Sequence, residues 1–114
     1  MPGISIHVVD VSRGVVAEGM RVELYRRFAR LVEGHIGGNG LLEHQLLKER
    51  FSADNYQAVF HVADYYRKQG VALPGSYPFL HVVRYDFGID QPEQHYHLPF
   101  KCTPWGYSCF RGGA

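Results

Sequence analysis

Apolar and polar residues alternate from the first strand-length segment onward. Ile4, Ile6 and Val8 alternate with Ser5, His7 and Val9, the period of a strand with one face turned to a core. Ser12 to Gly14 carries turn chemistry, and Met20 to Arg26 alternates again. The glycine-rich run Gly34 to Gly40 reads as a loop between strands, with positive φ at Gly or Asn positions. Its spacing fits neither a P-loop nor a dinucleotide fingerprint. Tyr56 to Val62 is a further strand. Asp64 to Gln69 reads as a short helix capped by Asp64 and ended at Gly70, held only by packing. Leu73 to Pro78 is a Pro- and Gly-rich loop, Phe79 to Phe87 alternates, and Gly88 to Glu93 turns. His95 to Lys101 and Trp105 to Arg111 close the pattern, with Pro104 breaking the run between them. Short strands at regular intervals with one helical turn predict an all-β sandwich. No repeat, low-complexity tract or linker interrupts it, so residues 1–114 are expected to form a single domain.

Composition narrows the function classes. Twelve Lys and Arg stand against eleven Asp and Glu, for a net charge of +1 with histidines neutral. That balance leaves no footprint for nucleic acid or an anionic membrane surface. Eight Tyr and seven Phe favour sheet over helix, because aromatic rings suit a pleated, half-buried surface. No stretch approaches the roughly 18 apolar residues of a membrane span. The opening MPGISIHVVD lacks the basic start and apolar segment of a signal peptide, so a cytoplasmic protein is expected. Cys102 and Cys109 are too few for a disulfide framework and are expected as free thiols.

The candidate chemistry is histidine chemistry. His95 and His97 alternate, so both imidazoles leave one sheet face about 7 Å apart. His7 and His97 both lie at odd positions of alternating strands, and imidazole is the side chain that takes a proton from water near pH 7. A lone strand histidine is more often a satisfied or surface residue than a catalyst. Zinc at His95 and His97 is disfavoured, since no Cys or carboxylate stands at ligand spacing and Glu93 is the nearest acid. Neither Cys102 nor Cys109 sits in a cysteine-hydrolase context, and Cys109 shares a strand with Trp105 and Tyr107, which favours packing. No metal or organic cofactor is expected.

Three segments carry a resemblance that covers most of the chain. HYHLPF followed by TPWGYSCFRGG resembles the C-terminal signature of the transthyretin-related proteins, the 5-hydroxyisourate hydrolases. The opening ISIHVVDVSRGVVAEGMRVELYR and the central YQAVFHVADYYRKQGV are similar to further blocks of that family. The resemblance implies a transthyretin-like fold of two four-stranded sheets. It implies a homotetramer with active sites at the dimer–dimer interface, and cofactor-free opening of the six-membered ring of 5-hydroxyisourate at its N1–C6 bond. His7 and His97 match the family's catalytic histidines, and Arg111 is expected to be catalytic from a groove shared between subunits.

The chain departs from the family pattern beside those histidines. Aligning Asn39-Gly40 with the family's Asp-Gly places Leu41 where a catalytic Arg is expected. In the tail, Phe110 replaces Tyr, Gly113 replaces Ser and Ala114 is extra, while Arg111 and Gly112 remain. Leu41, Phe110 and Gly112 are therefore expected to line the substrate site. A leucine cannot polarise a carbonyl, and losing the cation costs on the order of 10²-fold in rate if nothing replaces it. Two alternatives to the family reaction follow: hydrolysis of an N-methylated hydroxyisourate or related cyclic ureide, or non-catalytic binding of a small molecule.

Overall fold

The computed structural model describes residues 2–113. In chain order they form β1 (Gly3–Asp10), β2 (Val15–Val16), β3 (Arg21–Arg26), β4 (Ala29–His35), β5 (Asp54–Phe60), α1 (Val62–Lys68), β6 (Val83–Ile89), β7 (His95–Thr103) and β8 (Gly106–Cys109). A 3₁₀ turn spans Gln45–Lys48. The strands build two four-stranded sheets, ordered β2-β1-β7-β8 and β4-β3-β5-β6. The all-β sandwich with one short helix expected from the alternation is what the chain forms.

Alternation decides which face each strand buries. Ile4, Ile6 and Val8 of β1 and Tyr96, Leu98, Phe100 and Cys102 of β7 point inward and are almost fully buried. They meet Val22 and Leu24 of β3 and Tyr56, Ala58 and Phe60 of β5 in one continuous core. Phe60 stacks on Phe100 across the sheets with ring centroids 3.8 Å apart. The odd positions of β1 and β7 are left on the outer face of the first sheet.

Two buried carboxylates lock the frame. Asp10, fully buried at the inward end of β1, accepts hydrogen bonds from Ser12 (2.6 Å), Tyr66 (2.7 Å) and Tyr65 (3.0 Å). Burial alone would raise its pKa, but the three hydroxyl donors outweigh it and the net shift is downward. Because both tyrosines lie on α1, this carboxylate fastens the helix to the first sheet. Glu23 of β3 is only 5% exposed. Burial again works against its charge, yet bonds from His61, Tyr25 and Arg30 and the charge of Arg21 bring its pKa down to about 2.

Several boundaries differ from the sequence expectation. The helix begins at Val62 and not Asp64, with His61 before it and no side-chain cap. Asp64 falls in the first turn, where a carboxylate favours the helix N-terminus, and it faces Arg67 at 3.8 Å. Gly70 ends the helix with φ +79°, as expected. The strand expected at Phe79 starts at Val83, because its partner β5 ends at Phe60, the residue opposite Val83. The last strand runs over Gly106–Cys109, shorter than Trp105 to Arg111. Gly34 and His35 belong to β4, so the loop is confined to the residues after them. β4 itself, β2 and the 3₁₀ turn were not anticipated.

Candidate active site

The site lies on the outer face of the first sheet, where β1 and β7 run parallel. In their register Ser5 stands opposite His97 and His7 opposite Pro99. His7 and His97 therefore sit on adjacent strands, two residues out of step, with Cα atoms about 8 Å apart. Both are half-buried. Each lies on the outer side of its strand, His7 between buried Ile6 and Val8 and His97 between buried Tyr96 and Leu98.

Local hydrogen bonds orient each ring. His7 Nε2 lies 3.2 Å from the Asn39 carbonyl oxygen, which can only accept, so Nε2 carries the proton and Nδ1 keeps its lone pair. His97 Nδ1 lies 2.6 Å from Ser5 Oγ, and the same hydroxyl is 2.8 Å from His95 Nε2. His95 Nδ1 in turn is 3.3 Å from the Pro2 carbonyl oxygen. The pKa of His97 is lowered by burial first and then by the charges of His7 and His95, which keeps it neutral at pH 7. Its Nε2 has no partner among the described residues.

The loop that precedes Leu41 forms an edge beside β1. Val8 N–H donates to Gly40 O (2.9 Å) and Leu42 N–H to Ile6 O (3.1 Å), which sets Leu41 directly opposite His7. Facing residues of an antiparallel pair share a sheet face, so Leu41 covers the flank of His7. Gly40 has φ +83°, and a Cβ there would strike His7 Nε2 and approach its Cδ2 and Val16 Cγ1 to 2.8 Å. Only glycine fits. Leu41 also walls a cleft of about 540 Å³ with Ile4, Leu42 and Leu47, and Ser5, Glu43, His44, Lys48 and His95 contribute its polar side.

The tail closes the other flank. Gly112 N–H donates to His97 O at 2.7 Å, and a Cβ on Gly112 would come within 2.8 Å of His97 Cδ2. Pro99 has no N–H to offer on that side, so regular pairing with β8 stops at the Phe100–Cys109 rung. Phe110 is exposed, its ring 5.8 Å from Lys101 Nζ.

Arg111 is not brought to the histidines. Its guanidinium lies 3.9 Å from the ring of Tyr96, an inward-facing residue, and donates to Gln94 Oε1 (2.9 Å) and His95 O (3.3 Å). Stacking on Tyr96 holds the guanidinium there within the chain, while the catalytic role expected of Arg111 was in a groove shared between subunits. Of the expected residues, His7, His97, Leu41 and Gly112 converge; Phe110 lies toward Lys101. Sequence reasoning missed Ser5, and read His95 as sharing a face with His97 and as a disfavoured zinc ligand without giving it a role. The His-x-His spacing was the available signal for His95; Ser5 is placed only by the register of β1 on β7. Among the described residues no group of three or more His, Cys, Asp or Glu is arranged to hold a metal. Among the described residues no helix is long and apolar enough to cross a membrane.

Comparison with known proteins identifies the family. The model of the HIUase/Transthyretin family matches residues 4–112. The chain is 36% identical to 5-hydroxyisourate hydrolase 2 of Rhizobium meliloti (strain 1021), over 96% of this chain and 94% of that protein. Among solved structures, Klebsiella pneumoniae 5-hydroxyisourate hydrolase superposes with a TM-score of 0.82 at 27% identity, covering 99% of this chain and all of that one. An (S)-allantoin synthase superposes with a TM-score of 0.88 at 31% identity over 97% of this chain, which spans only 43% of that longer protein. A sandwich with two histidines on its outer β1–β7 face, and a match of this extent from the first strand to the glycine of the tail, place the chain in the HIUase/transthyretin family.

Proposed function

We propose that this protein is a cofactor-independent hydrolase that opens the six-membered ring of 5-hydroxyisourate at the N1–C6 bond. The observation that carries the reading is the pairing of two half-buried imidazoles, His7 and His97, on adjacent strands of one face. Neutral His97 takes a proton from water through Nε2 as the water oxygen adds to C6; the C6–N1 bond then breaks and the proton returns to N1. His7, held by Asn39, presents Nδ1 to the same ring. A pure binding site has no use for two oriented bases.

The test is decay of 5-hydroxyisourate, generated in place by urate oxidase and followed by ultraviolet absorbance. His7→Ala and His97→Ala are each expected to lower kcat by about 10²-fold or more. Wild-type rates in both variants would overturn the histidine mechanism. A protein that binds aromatic ligands without accelerating the decay would be the transthyretin-like binder.

A second reading concerns the ring itself. Leu41 stands beside His7 where the family alignment expects a cation, and the adjoining cleft, which Glu43, His44 and Lys48 also line, is walled on its apolar part by Ile4, Leu41, Leu42 and Leu47. Those side chains suit a less polar substrate, such as an N-methylated hydroxyisourate or related cyclic ureide.

The assembly proposed is a homotetramer that encloses the histidine face between dimers. Exposed Phe79, Trp105 and Tyr107 and the unpaired edges of β6 and β8 support burial against further subunits. Sedimentation at several concentrations tests it. Two free thiols, Cys102 and Cys109, suit the reducing cytoplasm as the place of action.

A further inference from the structure

The hydroxyl of Ser5 touches two imidazoles at once, and a carbonyl at the end of the chain of contacts decides which way every proton points. The Pro2 carbonyl can only accept, so the 3.3 Å contact requires a proton on His95 Nδ1. Neutral His95 then bears a lone pair on Nε2, and the 2.8 Å contact to Ser5 Oγ requires the Ser5 proton to point at it. With its one proton committed, Ser5 Oγ can only accept over the 2.6 Å contact to His97 Nδ1. His97 must carry its proton on Nδ1 and its lone pair on Nε2.

We propose that Ser5 and His95 are positioning residues which, through a one-way hydrogen-bond chain from the Pro2 carbonyl, hold His97 in the tautomer whose Nε2 is the base. The catalytic part of this rests on the hydrolase reading above; the tautomer itself does not. The reverse direction is excluded by chemistry at the far end: a proton on His95 Nε2 would turn the Nδ1 lone pair toward the lone pairs of Pro2 O.

The arrangement matters because neutral imidazole has two forms, and only one has a lone pair where water can be activated. When His97 becomes imidazolium, Nδ1–H still faces an acceptor in Ser5 Oγ, so the charged form that develops during the reaction is stabilised without rearrangement. Serine does here what a carboxylate does in a hydrolase triad, but without a negative charge. An uncharged partner leaves the pKa of His97 free to fall, as burial and its neighbours dictate. His7 is tethered separately, through Nε2 to Asn39 O, and exposes the opposite nitrogen. The two bases therefore show a ring different atoms.

Long-range ¹H–¹⁵N correlation spectra of the substrate-free protein at pH 7.5 read the tautomers directly. The expected result is a protonated Nδ1 and an unprotonated Nε2 on both His95 and His97. An Nε2–H tautomer at His97 in wild type overturns the proposal, whether or not the protein hydrolyses hydroxyisourate. Ser5→Ala is expected to give a mixed tautomer at His97 and to lower kcat by roughly 10- to 100-fold with KM changed less than threefold. Ser5→Thr, which keeps the hydroxyl, and His95→Gln, whose amide oxygen can accept from Ser5, are expected to retain the Nδ1–H form and most of the rate. Ser5→Ala that keeps both the tautomer and the rate also overturns it. Should Ser5→Ala not fold, the wild-type and Ser5→Thr spectra still decide. A wild-type His97 in the Nδ1–H form, mixed in Ser5→Ala, in a protein inactive on hydroxyisourate would uphold the positioning and fail only the substrate.

Discussion

Leu41 stands directly across the sheet edge from His7, on the same face and in the same rung, so an isobutyl group occupies the flank of that histidine. Arg111 is stacked on the ring of Tyr96 and hydrogen-bonds Gln94 and the His95 carbonyl, so its guanidinium is engaged elsewhere. Leu41→Arg is therefore expected to raise kcat/KM for unmethylated hydroxyisourate and to lower it for an N-methylated analogue, by about 1–2 kcal/mol in each direction. Steady-state kinetics on the two substrates checks this, and equal losses on both would sink the apolar-pocket reading.

The pH dependence follows from the lowered pKa of His97, which burial dominates. The active form is neutral, and its proton binds only below the ordinary value of about 6.5. The acid limb of kcat/KM is expected to have its midpoint below that value. Stability has the same sign: the folded state resists protonation here, so this contribution is intact above about pH 6.5 and is lost as pH falls through the folded pKa. A limb centred above 6.5 would show that some other group controls the rate.

Gly40→Ala tests the fit between loop and base. The new methyl meets His7 and Val16, and φ +83° is strained for any side chain, so a loss of about 1–3 kcal/mol is expected with a fall in kcat from a displaced His7. Urea denaturation and kinetics on one preparation measure both. Unchanged stability would mean that the loop relaxes away from β1 easily.

Acid stability is assigned to Glu23. Its pKa of about 2 lies below the ordinary glutamate value, so it stabilises the fold above about pH 4.5 and loses that effect as pH falls toward 2. Glu23→Gln is expected to lower Tm at pH 7 and to flatten its decline between pH 5 and 3, as scanning calorimetry would show. An equally steep decline in the variant would transfer the role to Asp10, whose pKa is also lowered.

Strand parity carried most of what was legible in advance. Alternation showed which side of each strand His7, His95 and His97 occupy, and the alignment of Asn39-Gly40 with the family pattern brought Leu41 into the same inferred site. β4 escaped because Gly34 looked like loop, although its pairing with Val22 makes it strand. The direction of Arg111 was unreadable, since it depends on Pro99 ending the ladder and on the ring of Tyr96 lying within reach. Ser5 belongs to no motif; only the parallel register with β7 reveals that it faces His97.

That parallel register also governs when the site can come into being. Ser5 and His97 are separated by 92 positions, and β1 must wait for β7 before a single rung between them forms. Closing so long a loop has its entropic penalty before any compensating contact, which makes the step slow and late. During synthesis the paired bases do not exist until the seventh strand has left the ribosome. Recovery of hydrolytic activity in a refolding experiment would accordingly report the last topological event, with intrinsic signals from α1 and the β3–β5 hairpin region returning earlier.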